Sequence, residues 1–209
     1  MRITRLPAIH HDCNVVVVKG STSNILIDAG TSWYQMLQVE RIIGVLGEEK
    51  LDRILLTSRL YPFSGGAKYL SQSFDNAPVH IHREGQAALQ TGDFFTTWAN
   101  RYESDMPSVE TSLVEDGEIY ALGDCEVEAV VMNGISTDGM SYYISKENLL
   151  VAGGILIRAD RPCRWDLPGA NLVLLRDNIK KIIAMKLSAI VPMQGPAIKG
   201  KKHVAEVLN

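Results

Sequence analysis

The sequence predicts an α/β protein in which two β-sheets pack face to face with helices on their outer sides. The apolar period changes repeatedly between two, which is typical of strands, and 3.6, which is typical of helices. Short β-branched runs with turn residues recur in both halves of the chain, and helical segments close each half. Two packed sheets with outer helices let every such element bury its apolar face. With 209 residues, 46% of them hydrophobic, we expect one domain over residues 1–209.

The first half is predicted to begin with a hairpin and to continue as alternating helices and strands. Residues 15–18 and 25–27 are β-branched runs, and the Gly-Ser-Thr-Ser turn at 20–23 joins them. Ser32 can cap a helix that runs to about Leu46, because a serine oxygen accepts a hydrogen bond from the free N–H groups of the first turn. The rest of this half is predicted as strands at 54–56 and 79–82, helices from 64 and at 85–89, and an aromatic-rich helix or lid at 93–102.

The second half is predicted as a mainly antiparallel set of strands closed by helices. Asp-Gly at 116–117 and Gly-Asp at 123–124 stand between short apolar runs, a pattern that is typical of hairpins. Strands are predicted at 112–114, 119–122, 127–132, 141–144, 149–151 and 189–191, and helices at about 170–185 and from about 201.

Charge and composition exclude several classes of function. A net charge of −3 and an isoelectric point near 6.0 lack the basic character of a general nucleic-acid binder. The longest uncharged apolar stretch, residues 149–157, is about half as long as a bilayer-crossing helix, and the N-terminal residues do not form a secretory signal. Three scattered cysteines without a CxxC pair indicate reduced thiols, so we expect a cytoplasmic protein.

Several short segments, in a fixed order along the chain, carry a family resemblance. Residues 56–66 read Leu-Thr-Ser-Arg-Leu-Tyr-Pro-Phe-Ser-Gly-Gly, which is similar to Leu-Thr-His-x-His-x-Asp-His-x-Gly-Gly. Residues 133–139 read Asn-Gly-Ile-Ser-Thr-Asp-Gly, which is similar to Pro-Gly-His-Ser-Pro-Asp-Gly. Further similar segments lie at 24–30, 116–124, 151–154, 164–171 and 191–196. Over nearly its whole length the chain thus resembles the metallo-β-lactamase superfamily, particularly its glyoxalase II-like branch. The resemblance implies a four-layer αβ/βα sandwich of two mixed β-sheets, with the active site at one edge of the sheets.

The same resemblance indicates that the metal ligands of the family are absent. Where the family has histidines and aspartates, this sequence has Ser58, Leu60, Pro62, Phe63, Ile135, Gly154 and Gln194. Apolar side chains, proline and glycine offer no ligand atom, and neutral serine and glutamine are too weak alone to hold a transition metal. An ion among such apolar side chains would also be buried without compensation. We therefore predict no metal and no cofactor, and a chain that is inactive as a zinc hydrolase.

The resemblance nevertheless implies that a pocket remains. A helix that starts at Ser64, Gly65 and Gly66 would point unpaired N–H groups and the positive end of its dipole into this pocket, which favours an anion. In the family an aspartate at the position of Asp28 supports the site, but here we expect its side chain to hydrogen-bond its own turn. We predict a small-molecule-binding or regulatory protein, with anions among the expected ligands. The predicted pocket residues are Asp28, Ser58, Leu60, Phe63, Ser64, Gly65, Gly66, Ile135, Ser136 and Gln194.

Two other functions stay open from the sequence. An atypical hydrolase could hold a relocated metal near His10, His11 and Asp12, which together with Cys13 form the densest group of ligand-type residues. His80 and His82 are a second possibility, since residues two apart on a strand project to the same face. The other function is an interaction or assembly module in which an aromatic segment and the edge of the sandwich form the interface of a homo-oligomer. The residues of the aromatic segment have the spacing of one helical face and are Phe94, Phe95, Trp98 and Tyr102.

Overall fold

The computed structural model describes residues 1–161, 163–167 and 169–208, and it contains two β-sheets of six strands each. Both sheets follow chain order. The first consists of β1 (Arg2–Leu6), β2 (Val15–Lys19), β3 (Asn24–Ile27), β4 (Arg53–Leu55), β5 (Val79–His82) and β6 (Thr111–Val114). The second consists of β7 (Ile119–Ala121), β8 (Glu126–Val131), β9 (Met140–Ile144), β10 (Leu149–Gly153), β11 (Ala189–Pro192) and β12 (Ile198–Lys199).

Parallel and antiparallel neighbours occur in both sheets. In the first sheet β1, β2 and β3 are antiparallel, whereas β3 to β6 are parallel. In the second sheet β10 and β11 are parallel and the other neighbours are antiparallel. Both sheets are therefore mixed, which confirms the predicted fold class.

The helices lie outside the two sheets. They are α1 (Gln35–Leu46), α2 (Tyr61–Ser64), α3 (Ala67–Ser73), α4 (Arg83–Thr91), α5 (Leu172–Ala184) and α6 (Lys201–Leu208). None of those in the described ranges has the length and apolar character that a bilayer-spanning helix needs.

The packing of strand β2 explains why four consecutive valines stand at positions 15–18. Val16 and Val18 belong to the core between the sheets, together with Tyr142 of β9. Val15 and Val17 belong to the other core, which contains buried residues of the helices. Because successive residues of a strand face opposite sides, a strand that is covered on both sides has to be apolar throughout. This packing confirms the helix–sheet–sheet–helix sandwich.

Two local expectations near the N-terminus need correction. The predicted hairpin omitted β1, which pairs with β2 so that Ile3 lies opposite Val18. Its arginines hide the apolar alternation in the sequence. The first long helix does not begin at Ser32, because Ser32–Tyr34 form a 3-10 turn and α1 follows without a side-chain cap.

The aromatic segment at 93–102 is not a continuous helix. The carboxylate of Asp93 accepts a hydrogen bond from the Phe95 N–H and closes a turn at 2.9 Å. Trp98 has a left-handed backbone with φ of 66°, and a 3-10 turn follows at Ala99–Tyr102. The prediction that the four aromatic residues share one helical face is therefore wrong. The side chain of Phe95 is exposed, whereas Trp98 and Tyr102 are half-buried.

Candidate functional site

The loops that follow β3, β4, β8 and β10 meet at one edge of the sandwich. Backbone hydrogen bonds of 2.8 Å connect the loop after β4 to the loop after β3, from the Ala29 N–H to the Phe63 carbonyl, and to the start of β9, from the Met140 N–H to the Thr57 carbonyl. The resembling segments that contain the implied ligand positions lie in these loops and in the loop after β11, whereas residues 116–124 lie around β7. The positions of the implied metal ligands therefore come together, even though the ligand side chains are not present.

The cavity at this edge is small and mostly apolar. Its volume is about 60 Å³. A water molecule takes up about 30 Å³ of liquid, and sites for drug-sized molecules usually measure 300–1,000 Å³. The cavity therefore admits one end of a ligand rather than a whole molecule. It is lined by Leu60, Pro62, Phe63, Trp98, Tyr102, Ile135, Gly154, Ile157, Arg164, Leu167 and Met193.

Three buried side chains, those of Leu60, Phe63 and Ile135, form an apolar plug at positions of implied ligands. A Cβ atom added to Gly154 would lie 1.9 Å from Ile135 Cδ1 and 3.3 Å from Phe63 Cζ. Real Cβ atoms essentially never approach another heavy atom within 3.0 Å. Ile135 thus fills the space that a side chain at position 154 would need, and the two positions complement each other.

The polar side chains near the plug do not provide a ligand set for a metal ion. Ser58 Oγ lies 3.3 Å from Ser136 Oγ, and both side chains are buried. Gln194 Nε2 donates to the carbonyl oxygens of His10 and Asp12 at 3.0 and 2.9 Å. Since histidine nitrogens and carboxylates are missing from the implied ligand positions, the residues present do not fit the metal centre that the resemblance implies.

A buried ion pair joins the loop after β4 to the loop after β8. The Arg59 guanidinium and the Arg59 backbone N–H both donate to the Asp138 carboxylate at 2.5 Å. The Asp138 side chain is fully buried, and the Arg59 side chain is 12% exposed. Asp138 lies in the segment 133–139 that resembles the family motif, but its pairing with Arg59 was not predicted. The available signal was the positive charge of Arg59 inside the segment 56–66, in which the resemblance implies metal ligands.

The side chain of Asp28 forms hydrogen bonds with the loop after β4 and not with its own turn, so the sequence prediction for this side chain is wrong. Its carboxylate accepts from the Thr57 N–H at 2.7 Å and from the Thr57 hydroxyl at 2.9 Å. Complete burial raises the pKa of Asp28 to about 7, although the two hydrogen-bond donors oppose this shift. The residue has a left-handed backbone with φ of 64°, which aspartate tolerates better than most residues.

The N–H groups expected to bind an anion are already paired inside the protein. The Gly65 N–H donates to Tyr61 and the Gly66 N–H to Gly30, both at 2.9 Å, and the Ser64 N–H donates to the Leu60 carbonyl at 3.2 Å. Ser64 ends α2 instead of capping the next helix, and its hydroxyl donates to a backbone carbonyl. The predicted anion site at this helix start is therefore wrong.

The N-terminal histidines and aspartate do not converge on a common point. His10 Nδ1 lies 2.5 Å from the hydroxyl of Tyr34, and the His11 ring packs among aromatic rings. Asp12 is buried and accepts from the Thr31 N–H at 2.9 Å, so its carboxylate faces inward. Burial raises the pKa of Asp12.

The two strand histidines have separate partners as well. His80 packs edge-on against the Tyr120 ring, and burial lowers its pKa. His82 Nδ1 accepts from the Glu84 N–H at 3.4 Å, so it caps α4. Among residues 1–161, 163–167 and 169–208, no three His, Cys, Asp or Glu side chains are placed to hold a metal ion together.

Open crevices surround Tyr102 at the mouth of the small cavity. One, of about 470 Å³, is lined by Trp98, Arg101, Tyr102, Arg164 and Asp166. An adjoining one, of about 360 Å³, also contains Arg101 and Tyr102. The spacing of the aromatic residues pointed to Trp98 and Tyr102 of the larger crevice, whereas its two arginines were not predicted. Each arginine is followed in the chain by an aromatic residue, which was the available signal.

Comparisons with known proteins agree with this architecture. The family model described as "Metallo-beta-lactamase superfamily" matches residues 9–194. An uncharacterized protein from Aquifex aeolicus (strain VF5) is 26% identical over 174 residues, which cover 82% of this chain and 77% of that protein. The crystal structure of the BLEG-1 B3 metallo-beta-lactamase has a TM-score of 0.80 at 20% identity, with 98% of this chain and 97% of that chain covered. The protein TTHA1623, crystallised in a di-iron-bound form, has a TM-score of 0.79 at 20% identity, with 98% of each chain covered. At such identities the two structures support the fold alone.

Proposed function

Because this chain belongs to the metallo-β-lactamase superfamily but has neither histidine nor carboxylate at the positions of the implied metal ligands, we propose that it is a binding or regulatory protein without hydrolase activity. It takes a small molecule at the mouth of the former active site and needs no metal or cofactor. The proposal includes a single domain over residues 1–209 and a cytoplasmic location. Three free cysteines favour that location.

The observation that carries the proposal is the mutual fit of Ile135 and Gly154. A divalent ion needs charged or imidazole ligands that converge at bonding distance. At these two positions the chain instead has an isoleucine whose Cδ1 would lie 1.9 Å from a Cβ at position 154. Loss of a single ligand side chain would leave an empty space. Here the Ile135 side chain fills the space that a side chain at position 154 would occupy.

Metal analysis of the purified protein tests the first part of the proposal. After expression in medium with zinc and iron, elemental mass spectrometry should find far less than one metal per chain. A chromogenic β-lactam and a thioester should both remain intact. A His10→Ala/His11→Ala variant serves as the control. Stoichiometric metal that is lost in this variant would overturn the proposal and support a hydrolase with a relocated metal.

A thermal-shift screen tests the second part. Any molecule that binds the native state alone raises the melting temperature by mass action. We expect a shift with at least one class among carboxylates, phosphates and nucleotides at millimolar concentration. The absence of a shift with all three classes would contradict anion binding.

A second candidate function, an assembly module, is favoured by exposed apolar side chains. Trp165, Val173 and Phe95 are each at least 64% exposed, and association of two chains would remove such apolar surface from water. Analytical ultracentrifugation distinguishes this function. A sedimentation mass that rises with protein concentration to that of a homo-oligomer supports assembly, and a monomer at all concentrations contradicts it.

A further inference from the structure

We propose that the crevice lined by Trp98, Arg101, Tyr102, Arg164 and Asp166, here called the guanidinium crevice, binds an aromatic monocarboxylate. The crevice has a volume of about 470 Å³, which lies within the usual range for small-molecule sites. The inference rests on the proposed function for the idea that the chain binds a small molecule. It adds the place of binding and the chemical class of the ligand.

Two guanidinium groups pack on the indole of Trp98. The Cζ atom of Arg101 lies 5.8 Å from the centroid of the indole, and that of Arg164 lies 5.7 Å from it. A guanidinium that packs on an aromatic ring loses part of its hydration and some of its freedom to rotate. Its N–H groups are then arranged in advance for a carboxylate, which they can bind through two parallel hydrogen bonds.

The charge balance of the crevice matches a single negative charge. Arg164 is already paired with Asp166, through hydrogen bonds of 2.9 and 2.5 Å. Among the described residues Arg101 forms no ion pair with a carboxylate, and Glu103 lines only the adjoining crevice. Two arginines and one aspartate leave one positive charge in the crevice, in a protein whose net charge is −3. One carboxylate neutralises that charge, whereas a phosphate dianion exceeds it.

The neighbouring surface favours a flat apolar ring on the carboxylate. The ring of Tyr102 borders the guanidinium crevice, the small apolar cavity and the adjoining crevice. It also packs on Tyr61 and Trp33, with centroid distances of 5.4 and 6.1 Å. Aromatic faces prefer offset or edge-on contact with another ring. A ligand ring placed here can reach the cavity of about 60 Å³ in front of the apolar plug.

The backbone of Trp98 is a separate indication of a binding site. Its φ of 66° and ψ of 15° place a bulky residue in the left-handed region, which such residues rarely adopt. The surrounding hydrogen bonds hold it there, because the Tyr61 N–H donates to the Thr97 carbonyl at 2.8 Å and the Arg101 N–H to the Trp98 carbonyl at 3.0 Å. Backbone conformations of this kind concentrate at sites that clamp ligands.

Isothermal titration of the full chain with 2-naphthoate tests the proposed class. Three matched probes accompany it: 2-naphthamide lacks the charge, decahydro-2-naphthoate has the same carbon skeleton without aromaticity, and 2-naphthyl phosphate carries a second charge. We expect 2-naphthoate to bind with the lowest Kd and each of the other three to bind at least tenfold more weakly. Equal or tighter binding of the phosphate, the amide or the alicyclic acid would overturn the assignment of class.

Variants of equal charge change test the proposed place. Arg101→Gln should weaken 2-naphthoate binding about tenfold to a hundredfold, since a hydrogen bond between charged groups is lost. Arg2→Gln, at the exposed start of β1, should leave the Kd within twofold. An unchanged Kd in Arg101→Gln, or an equal loss in Arg2→Gln, would overturn the site. If none of the four probes binds a metal-free protein that still responds in the thermal-shift screen, this inference fails while the proposed function stands.

Discussion

The mutual fit of Ile135 and Gly154 can be measured with a double-mutant cycle. Gly154→Ala adds only the Cβ atom, which would lie 1.9 Å from Ile135 Cδ1. Overpacking of this kind usually costs about 1–3 kcal/mol of stability. Ile135→Val removes the Cδ1 atom and, as a change from large to small in the core, costs about 0.5–1.5 kcal/mol. In the double variant the added methyl occupies the space that the deleted methyl leaves.

The double variant should therefore be more stable than the sum of the two single effects predicts. We expect an interaction free energy of about 1–2 kcal/mol in favour of the pair, since contacting residues deviate from additivity by about 0.5–3 kcal/mol. Urea denaturation of the four proteins at pH 6, followed by circular dichroism, measures each free energy of unfolding. Additivity within about 0.5 kcal/mol would refute the argument that the two positions complement each other.

Three other substitutions test the site by stability measurements. The pKa of Asp28 is raised to about 7 in the folded protein, above its value in the unfolded chain, so the folded state loses up to about 4 kcal/mol of stability as pH rises from about 4 to 7. The Asp28→Asn variant should lack this loss in urea denaturation at several pH values. An identical dependence on pH in both proteins would contradict the prediction. Arg59→Met leaves the Asp138 carboxylate buried without its partner and should lower the free energy of unfolding by about 3–5 kcal/mol. A loss of stability below about 1 kcal/mol in the same assay would show that the ion pair does not hold the two loops together. A Cβ atom at Gly66 would lie 2.6 Å from a backbone oxygen, whereas one at Gly44 would meet nothing within 4 Å. Gly66→Ala should therefore lower the melting temperature, and Gly44→Ala, in a helix, should raise or preserve it. Equal shifts in the two variants would contradict the difference in packing.

The layered fold could be predicted from the sequence because its signals are local. The valines of β2 alternate between two cores, so an unbroken β-branched run predicts a strand covered on both faces. β1 was missed because its own residues show no clear strand pattern, and it forms a strand through its antiparallel pairing with β2. The segment at 93–102 was misread because the spacing of its aromatic residues suits a helix, whereas the left-handed backbone of Trp98 interrupts any helix.

Site geometry was harder to predict because it depends on contacts between distant loops. The resemblance predicts which positions replace the family's ligands, since these are read residue by residue from the motifs. It could not show that the N–H groups of Gly65 and Gly66 are already paired. It also missed Arg101 and Arg164. Arg101 reaches Trp98 through the local turn that follows the left-handed Trp98 backbone, whereas Arg164 comes from a segment about 60 residues away.

The loops at the mouth have several connections that involve no metal ion. In metalloproteins the free energy of metal binding contributes to folding, because the ion connects loops that would otherwise move apart. Here the Arg59–Asp138 pair connects the loops after β4 and β8, and Ile135 packs over Gly154 of the loop after β10. A single reversion to a metal ligand would disturb one of these contacts without completing a metal site. The proposed loss of metal binding would then be difficult to reverse one residue at a time. The crevices that Tyr102 borders provide open space for a ligand beside these loops.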